Sequence, residues 1–140
     1  MTVLPGAAGG EAPALFASER SFRVWRYGVG HSQLLLRAAP ESAHPLRLDL
    51  LFEGVDAVQL VTRYDGLELH SFDDAESGRV FELSGVPSRW RSQRLVIGLR
   101  SGSGAGYVQC RKVSALLGGT NVLGPDDPSG SVDVVWNLRG

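Results

Sequence analysis

The chain has 140 residues and a formal net charge of −1, and 43% of its residues are hydrophobic while 21% are charged. This length, and this balance of hydrophobic and charged residues, predict one globular domain. Its core is large enough to fold without stabilising cross-links. The near-neutral charge argues against nucleic-acid binding, which needs a basic excess to release counterions from phosphate, and no apolar run approaches the ~18 residues of a membrane-spanning helix.

The N-terminal segment and the cysteine content predict the cellular compartment. The segment "MTVLPGAAGGEAPALF" has neither the basic region nor the long apolar run of a secretory signal. Cys110 is the single cysteine, so the chain has no internal disulfide and no metal knuckle of paired cysteines. We therefore expect a soluble cytoplasmic protein. Residues 1–17, rich in Ala, Gly and Pro, are predicted to be a flexible lead-in, and residues 18–140 a single β domain.

From Ser21 onward, apolar and polar residues alternate with a period of two, which is typical of half-buried strands. "FRVWRY" is followed by a break at Gly28–Gly30, then by "SQLLLR" and "LRLDLLFE". In the last of these, the apolar residues predict one buried face, and Arg47, Asp49 and Glu53 predict a solvent face. "VDAVQLV" comes next, and then Asp65-Gly66, a pair that favours a tight hairpin turn because both residues tolerate positive φ.

The second half continues the pattern of short strands separated by turn residues. The predicted strands are "LELHSF", "RVFEL" after a loop of "DDAESG", "RLVIGLR", "GYVQCRKV" and "SVDVVWNL". Eight or nine strands spaced about ten residues apart predict an all-β fold, a single-domain antiparallel β-sandwich or alternatively a flattened β-barrel. The edge strands of an open sandwich can pair with a second copy, so a homo-oligomer is one expected assembly.

Three segments in the first half of the chain are similar to those of a known family. "FRVWRYGVGHSQLLLR", followed by "RLDLLFEGVDAVQL" and "YDGLEL", resembles a family of small uncharacterised bacterial proteins. The resemblance covers about the first half of the chain and includes no catalytic motif. It implies that the Gly28–Gly30 bend and its flanking strands are a family trait, and it implies no activity.

The segment Gly30-His31-Ser32 resembles the start of the G-x-S-x-G nucleophile elbow of serine hydrolases. The elbow needs Gly two residues after the serine and a helix after that, whereas here Leu34 opens a strand-like run. We therefore predict that Ser32 is not a nucleophile, and we assign no catalytic residue. His31 is interpreted as a hydrogen-bonded residue of the bend, or alternatively as the centre of a polar pocket.

Metal and cofactor sites are not indicated. His31, His44 and His70 lack the short spacings of metal-ligand pairs. The glycines of "RSGSGAGY" precede a strand rather than a helix, so they do not indicate a phosphate loop. We expect no metal and no cofactor.

The segment "PSRWRSQR", residues 87–94, has the composition of a binding site. Arg89 and Arg91 flank Trp90, and Trp and Arg are enriched at the centres of protein interfaces. Alternatively, Trp90 folds back to cap one end of the sandwich and the arginines are merely solvated.

Two functions follow from these observations. The first is a non-enzymatic protein-binding domain that uses Arg89, Trp90 and Arg91, with no nucleic-acid or membrane partner. The alternative is a small-molecule-binding or enzymatic β-domain with a polar pocket around His31, to which His70 is a further candidate. A concave pocket with convergent polar groups would favour the second, and an exposed Arg/Trp patch the first.

Overall fold

The computed structural model describes residues 13–120 and 132–140. Nine strands are found there: β1 (Ala14–Gly28), β2 (Gln33–Ala38), β3 (Leu48–Glu53), β4 (Ala57–Gln59), β5 (Arg63–Ser71), β6 (Leu95–Ser101), β7 (Gly104–Cys110), β8 (Lys112–Leu117) and β9 (Asp133–Arg139). The helices are α1 (Asp74–Ser84) and two 3₁₀ segments, Val29–His31 and Ser88–Gln93. Within the described ranges no helix has the length and apolar character needed to cross a membrane. Strand β1 begins inside the predicted lead-in, most of which lies outside the described residues.

All nine strands belong to one antiparallel sheet in the order β9-β8-β3-β2-β1-β5-β6-β7-β4. The prediction of an all-β antiparallel fold is confirmed. The alternative of a barrel is wrong, because the described sheet ends at β9 and β4 without closing into a ring. Pairing of a second copy along these edges stays a prediction.

Long and bent strands fold this sheet over its own core. The N-terminal half of β1 pairs with β5 and its C-terminal half pairs with β2, and the two pairings meet at Arg23. Strands β7 and β8 are separated only by Arg111, whose backbone N–H donates to the carbonyl of Glu53 at 2.9 Å. In the sheet order, β7 lies between β6 and β4 in one half of the sheet, and β8 lies between β9 and β3 in the other half. The chain therefore passes from one layer to the other at Arg111, as strands do at the corners of sandwiches.

The main core lies between the two layers. Its largest fully buried apolar side chains are Phe22, Leu34, Leu36, Leu50, Phe52, Tyr64, Leu69, Ile97 and Leu99. They come from strands on both sides of β1, so one core holds both layers together. Phe16 of β1 and Trp136 of β9 contact each other with ring centroids 5.3 Å apart, although three strands separate β1 from β9 in the sheet. This contact requires the sheet to curl.

The prediction of a hairpin turn at Asp65-Gly66 is wrong. Both residues lie inside β5, opposite a bulge in β1. Ser18 pairs with Leu67 and Ser21 pairs with Asp65, so two residues of β1 face Gly66 alone. Gly66 has φ +73°, and this left-handed conformation is absorbed by the bulge rather than by a chain reversal.

The interpretation of "DDAESGRVFEL" as a loop and a strand is also wrong, because residues 74–84 form α1. The side chain of Asp73 accepts a hydrogen bond from the backbone N–H of Glu76 at 2.8 Å. The carboxylate of Glu76 accepts one from the backbone N–H of Asp73 at 3.3 Å. This reciprocal capping box satisfies two of the donors that a helix start leaves unpaired.

The predicted solvent face of β3 is buried too. Asp49 is 1% exposed, and its carboxylate accepts hydrogen bonds from Arg37 Nε at 2.8 Å and Nη2 at 3.1 Å. Arg47 Nε donates to the same carboxylate at 3.2 Å. The guanidinium of Arg37 also lies 5.1 Å from the ring centroid of Trp25. Leu35, Leu51 and Leu116 form a second small apolar cluster, against which Trp25 and Val132 pack.

Candidate functional site

The bend between β1 and β2 holds the first candidate residues. His31 is the last residue of the 3₁₀ segment Val29–His31, and it is exposed. Ser32 follows with φ 49° and ψ 49°, and it is the only non-glycine residue with positive φ in the described part of the chain. Its carbonyl accepts a hydrogen bond from the backbone N–H of Val55 at 2.9 Å. The bend is thus tied to the segment between β3 and β4.

The local structure around Ser32 is not that of a nucleophile elbow. Strand β2 begins at the next residue, where the elbow requires a helix. In that motif the residue after the serine, at the start of the helix, supplies one of the backbone donors of the oxyanion hole. Strand β2 offers its backbone groups to β1 and β3 instead. The elbow geometry is therefore absent at Ser32, and the absence of a nucleophilic role stays a prediction.

The other titratable candidates are dispersed. His44 lies in the exposed loop before β3, and the His70 ring on β5 packs 5.7 Å from that of Phe72. Across residues 13–120 and 132–140, no group of three or more His, Cys, Asp and Glu side chains is arranged to hold a metal ion. Cys110 is fully buried, and burial raises the pKa of its thiol to about 12. Its thiol therefore stays protonated and unreactive at neutral pH.

The segment around Trp90 is exposed. Residues 87–93 are all exposed, and Trp90 itself is 40% exposed. The guanidinium of Arg89 lies 5.5 Å from the ring centroid of Trp90, and that of Arg91 lies 4.9 Å from the ring centroid of Phe81 on α1. We call these four residues, Phe81, Arg89, Trp90 and Arg91, the Trp90 surface. Both aromatic rings carry a cation on one face, so aromatic area and positive charge are presented together.

Both ends of this segment are anchored. Val86, which precedes it, is buried, and inside the segment the Trp90 backbone N–H donates to the Pro87 carbonyl at 2.9 Å. After it, the Arg94 guanidinium donates to the Asp56 carboxylate at 2.7 Å, with the arginine side chain only 9% exposed. The segment therefore projects from fixed points, which lowers the entropy that binding would cost.

A second feature, not predicted from the sequence, is a cleft of about 830 Å³ beside the N-terminal half of β1. Strands β1, β3, β5, β6, β8 and β9 contribute to its walls, together with the β6–β7 turn and the loop that carries His44. Its apolar lining residues are Phe16, Ala17, Leu48, Leu67, Leu117 and Val135. Arg20 lines it as well, and is 6% exposed. His31, His70 and the Trp90 surface are not among its lining residues.

The electrostatics of the cleft centre on Arg20. Burial lowers the pKa of its guanidinium, while the negative charges of Glu41 and Asp49 act in the opposite direction. Glu68 and Arg100 also line the cleft, and they form an ion pair at 3.1 Å. Gly66, with its positive φ, lies opposite the bulge that carries Arg20. In the sequence, Asp65-Gly66 favours a turn as well as a bulge, so it does not identify this site.

The chain matches no protein-family model, no curated protein and no solved structure. The resemblance of its first half to small bacterial proteins therefore stays an expectation.

Proposed function

We propose that this protein is a non-enzymatic protein-binding domain and that the Trp90 surface is its contact site. The observation that carries this proposal is the exposure of Trp90 on a segment whose two ends are anchored. An aromatic side chain that is 40% exposed loses further contact with water when a partner covers it, and its rigid setting keeps the entropy cost of binding low.

The chemistry of the surface indicates what kind of partner it fits. Arg89 and Arg91 each place a guanidinium over an aromatic ring and leave its donor edges for other groups. Guanidinium groups bind carboxylates in a bidentate manner, and the rings of Trp90 and Phe81 accept apolar side chains. A protein segment that combines Asp or Glu with a bulky apolar residue complements both features.

The alternative, a polar pocket around His31, has less support. His31 is exposed on the bend and does not line the large cleft. Binding pockets are concave and bring several polar groups together, which an exposed turn does not do. The small-molecule hypothesis is better based on the Arg20 cleft, which we consider separately below.

The proposal is tested by co-purification from the native cell with the tagged full chain and two variants. We expect Trp90→Ala to weaken binding of the co-purified protein by about 2 kcal/mol, roughly thirtyfold, as truncation of an interface centre does. Tyr27→Ala is the matched control, because Tyr27 is a similarly exposed aromatic residue, 46% exposed, at the end of β1. Affinities are then measured with the purified pair.

Two outcomes contradict the proposal. One is a partner that binds Trp90→Ala as tightly as the unaltered chain. The other is equal weakening by Trp90→Ala and Tyr27→Ala, which would place the contact elsewhere.

The double variant Arg89→Ala with Arg91→Ala should reduce the dependence of the binding affinity on salt, since these residues supply the charge of the surface.

A further inference from the structure

Arg20 occupies an unusual position for a charged residue in a strand. It lies in the β1 bulge opposite Gly66, where two residues face one. Its backbone N–H donates to the hydroxyl of Ser18 at 3.2 Å, which helps to fix the bulge. Bulges re-aim side chains, and this one turns Arg20 inward, so that only 6% of the residue is exposed.

The hydrogen bonds of the Arg20 guanidinium are incomplete. Nη2 donates to the carbonyl of Ala39 at 2.9 Å and, at a longer 3.5 Å, to that of Ala38. Nε is buried out of reach of the cleft and has no partner among residues 13–120 and 132–140. Nη1 makes no hydrogen bond to a described residue either, and it is the guanidinium donor that stays accessible. A charged donor without a protein acceptor favours an anion that supplies one.

The charges around the cleft are mixed, and the negative charges of Glu41 and Asp49 already act on Arg20. Glu68 is already paired with Arg100, and the Asp65 carboxylate accepts hydrogen bonds from Ser21 and Arg63. Glu19, beside Arg20 in the bulge, is exposed.

Part of the cleft lining is apolar. Phe16 and Leu67 contribute to it from β1 and β5, and Leu48, Leu117 and Val135 contribute from β3, β8 and β9. The volume of about 830 Å³ lies within the range of small-molecule sites. A ligand that fits both features has an apolar body and an anionic end.

We propose that this cleft binds a small organic monocarboxylate with an aliphatic body, whose carboxylate is held by the guanidinium of Arg20. The carboxylate accepts a hydrogen bond from Nη1, and the aliphatic chain lies along the apolar lining residues of β1 and β9. This site is separate from the Trp90 surface and does not depend on the function proposed for that surface.

The test uses octanoate as the probe, with octan-1-ol and octylammonium as probes of equal chain length and different charge. Binding to the full chain is measured by calorimetry and by amide chemical shifts. We expect octanoate to bind about tenfold or more tightly than octan-1-ol, because a charge-assisted hydrogen bond replaces an unsatisfied donor. Amide shifts should concentrate near Arg20, Leu67 and Val135.

Three variants separate this site from non-specific binding. Val135→Asp places a negative charge on an exposed wall position and should weaken octanoate binding several-fold, whereas Val29→Asp, on the exposed bend, should leave it unchanged. Glu19→Gln removes a carboxylate next to Arg20 and should strengthen octanoate binding. Arg20→Lys, checked by thermal melting, keeps the charge but removes the guanidinium donors and should lose most of the preference for octanoate over the alcohol.

Several results overturn the proposal. Equal affinities for octanoate and octan-1-ol would show that Arg20 does not select the anion. Octanoate binding that is insensitive to both Val135→Asp and Glu19→Gln would place the carboxylate outside the cleft. An absence of octanoate binding to the unaltered chain would contradict the proposal outright.

Discussion

Asp49 accepts hydrogen bonds from two arginine side chains inside the protein, and it is itself only 1% exposed. The strand alternation predicted a solvent face here, because Arg47 and Asp49 are charged and their neighbours are apolar. Alternation reveals which residues share a face, but it does not reveal whether a face is covered by the rest of the chain. A buried charge of this kind depends on keeping its partners, since the interior does not solvate a lone ion.

Two carboxylates allow a matched test of this dependence. Arg47 pairs with Asp49 and Arg63 pairs with Asp65, each across two residues, but the first pair is buried and the second is exposed. Asp49→Asn should lower the free energy of unfolding by about 3–5 kcal/mol, because it leaves buried guanidinium groups without their carboxylate. Asp65→Asn should change it little, since exposed pairs are solvated and screened. Urea denaturation of both variants measures the difference, and equal effects would contradict the interpretation of Asp49.

Some of the candidate site residues could be predicted from the sequence, and others could not. Trp90 with its flanking arginines was identified from residue type alone, and its exposure is what a contact site requires. Arg20 was not identified, because its importance comes from a bulge that pairs distant parts of the chain. Its inward orientation is a property of the β1–β5 register, which one strand's composition does not encode.

At the scale of an element, helix α1 shows that a short alternation of apolar and polar residues does not prove a strand. "RVFEL" alternates like a strand, but the preceding segment contains the Asp73-x-x-Glu76 pattern of a capping box. Gly85, with φ +71°, ends the helix in the left-handed conformation. The start and stop signals were both present in the sequence. They outweigh a five-residue alternation, because short apolar runs do not distinguish strand from helix.

The capping box predicts a specific loss when it is removed. Asp73→Ala leaves the Glu76 backbone N–H without its acceptor and should lower the free energy of unfolding by about 1 kcal/mol. Asp74→Ala, in the first turn of α1 but outside the box, is the control and should cost about half as much or less, through the helix dipole alone. Thermal melting of both variants gives the comparison. A larger loss for Asp74→Ala would show that the dipole rather than the cap determines the start of α1.

At the scale of the whole molecule, the sandwich is built by folding one sheet rather than by stacking two. The predicted strands and turns account for most of the elements, yet the layers depend on where β1 changes partner and where β7 continues into β8. These are pairings between residues far apart in the chain, and short-range patterns do not specify them. The fold places the Trp90 segment between α1 and β6, and the Arg20 cleft beside the N-terminal half of β1.

Two tryptophans distinguish the closure of the sandwich from the proposed contact site. Trp136 packs against the main core and contacts Phe16 across the curl of the sheet, so Trp136→Ala removes a link between distant strands. We expect a loss of about 2–3 kcal/mol, below the 3–5 kcal/mol of a fully buried tryptophan because Trp136 is half-buried. Trp90→Ala should cost no more than about 1 kcal/mol, since its segment is exposed and anchored by other residues.

Chemical denaturation of both variants, monitored by far-UV circular dichroism, measures the two losses directly. The remaining tryptophans report on the same transition by fluorescence. If Trp90→Ala is as destabilising as Trp136→Ala, then Trp90 holds the fold together and the Trp90 surface loses its support as a binding site. If Trp90→Ala melts like the unaltered chain, the side chain stays in solvent at no benefit to the fold, which is the condition that a partner-binding residue meets.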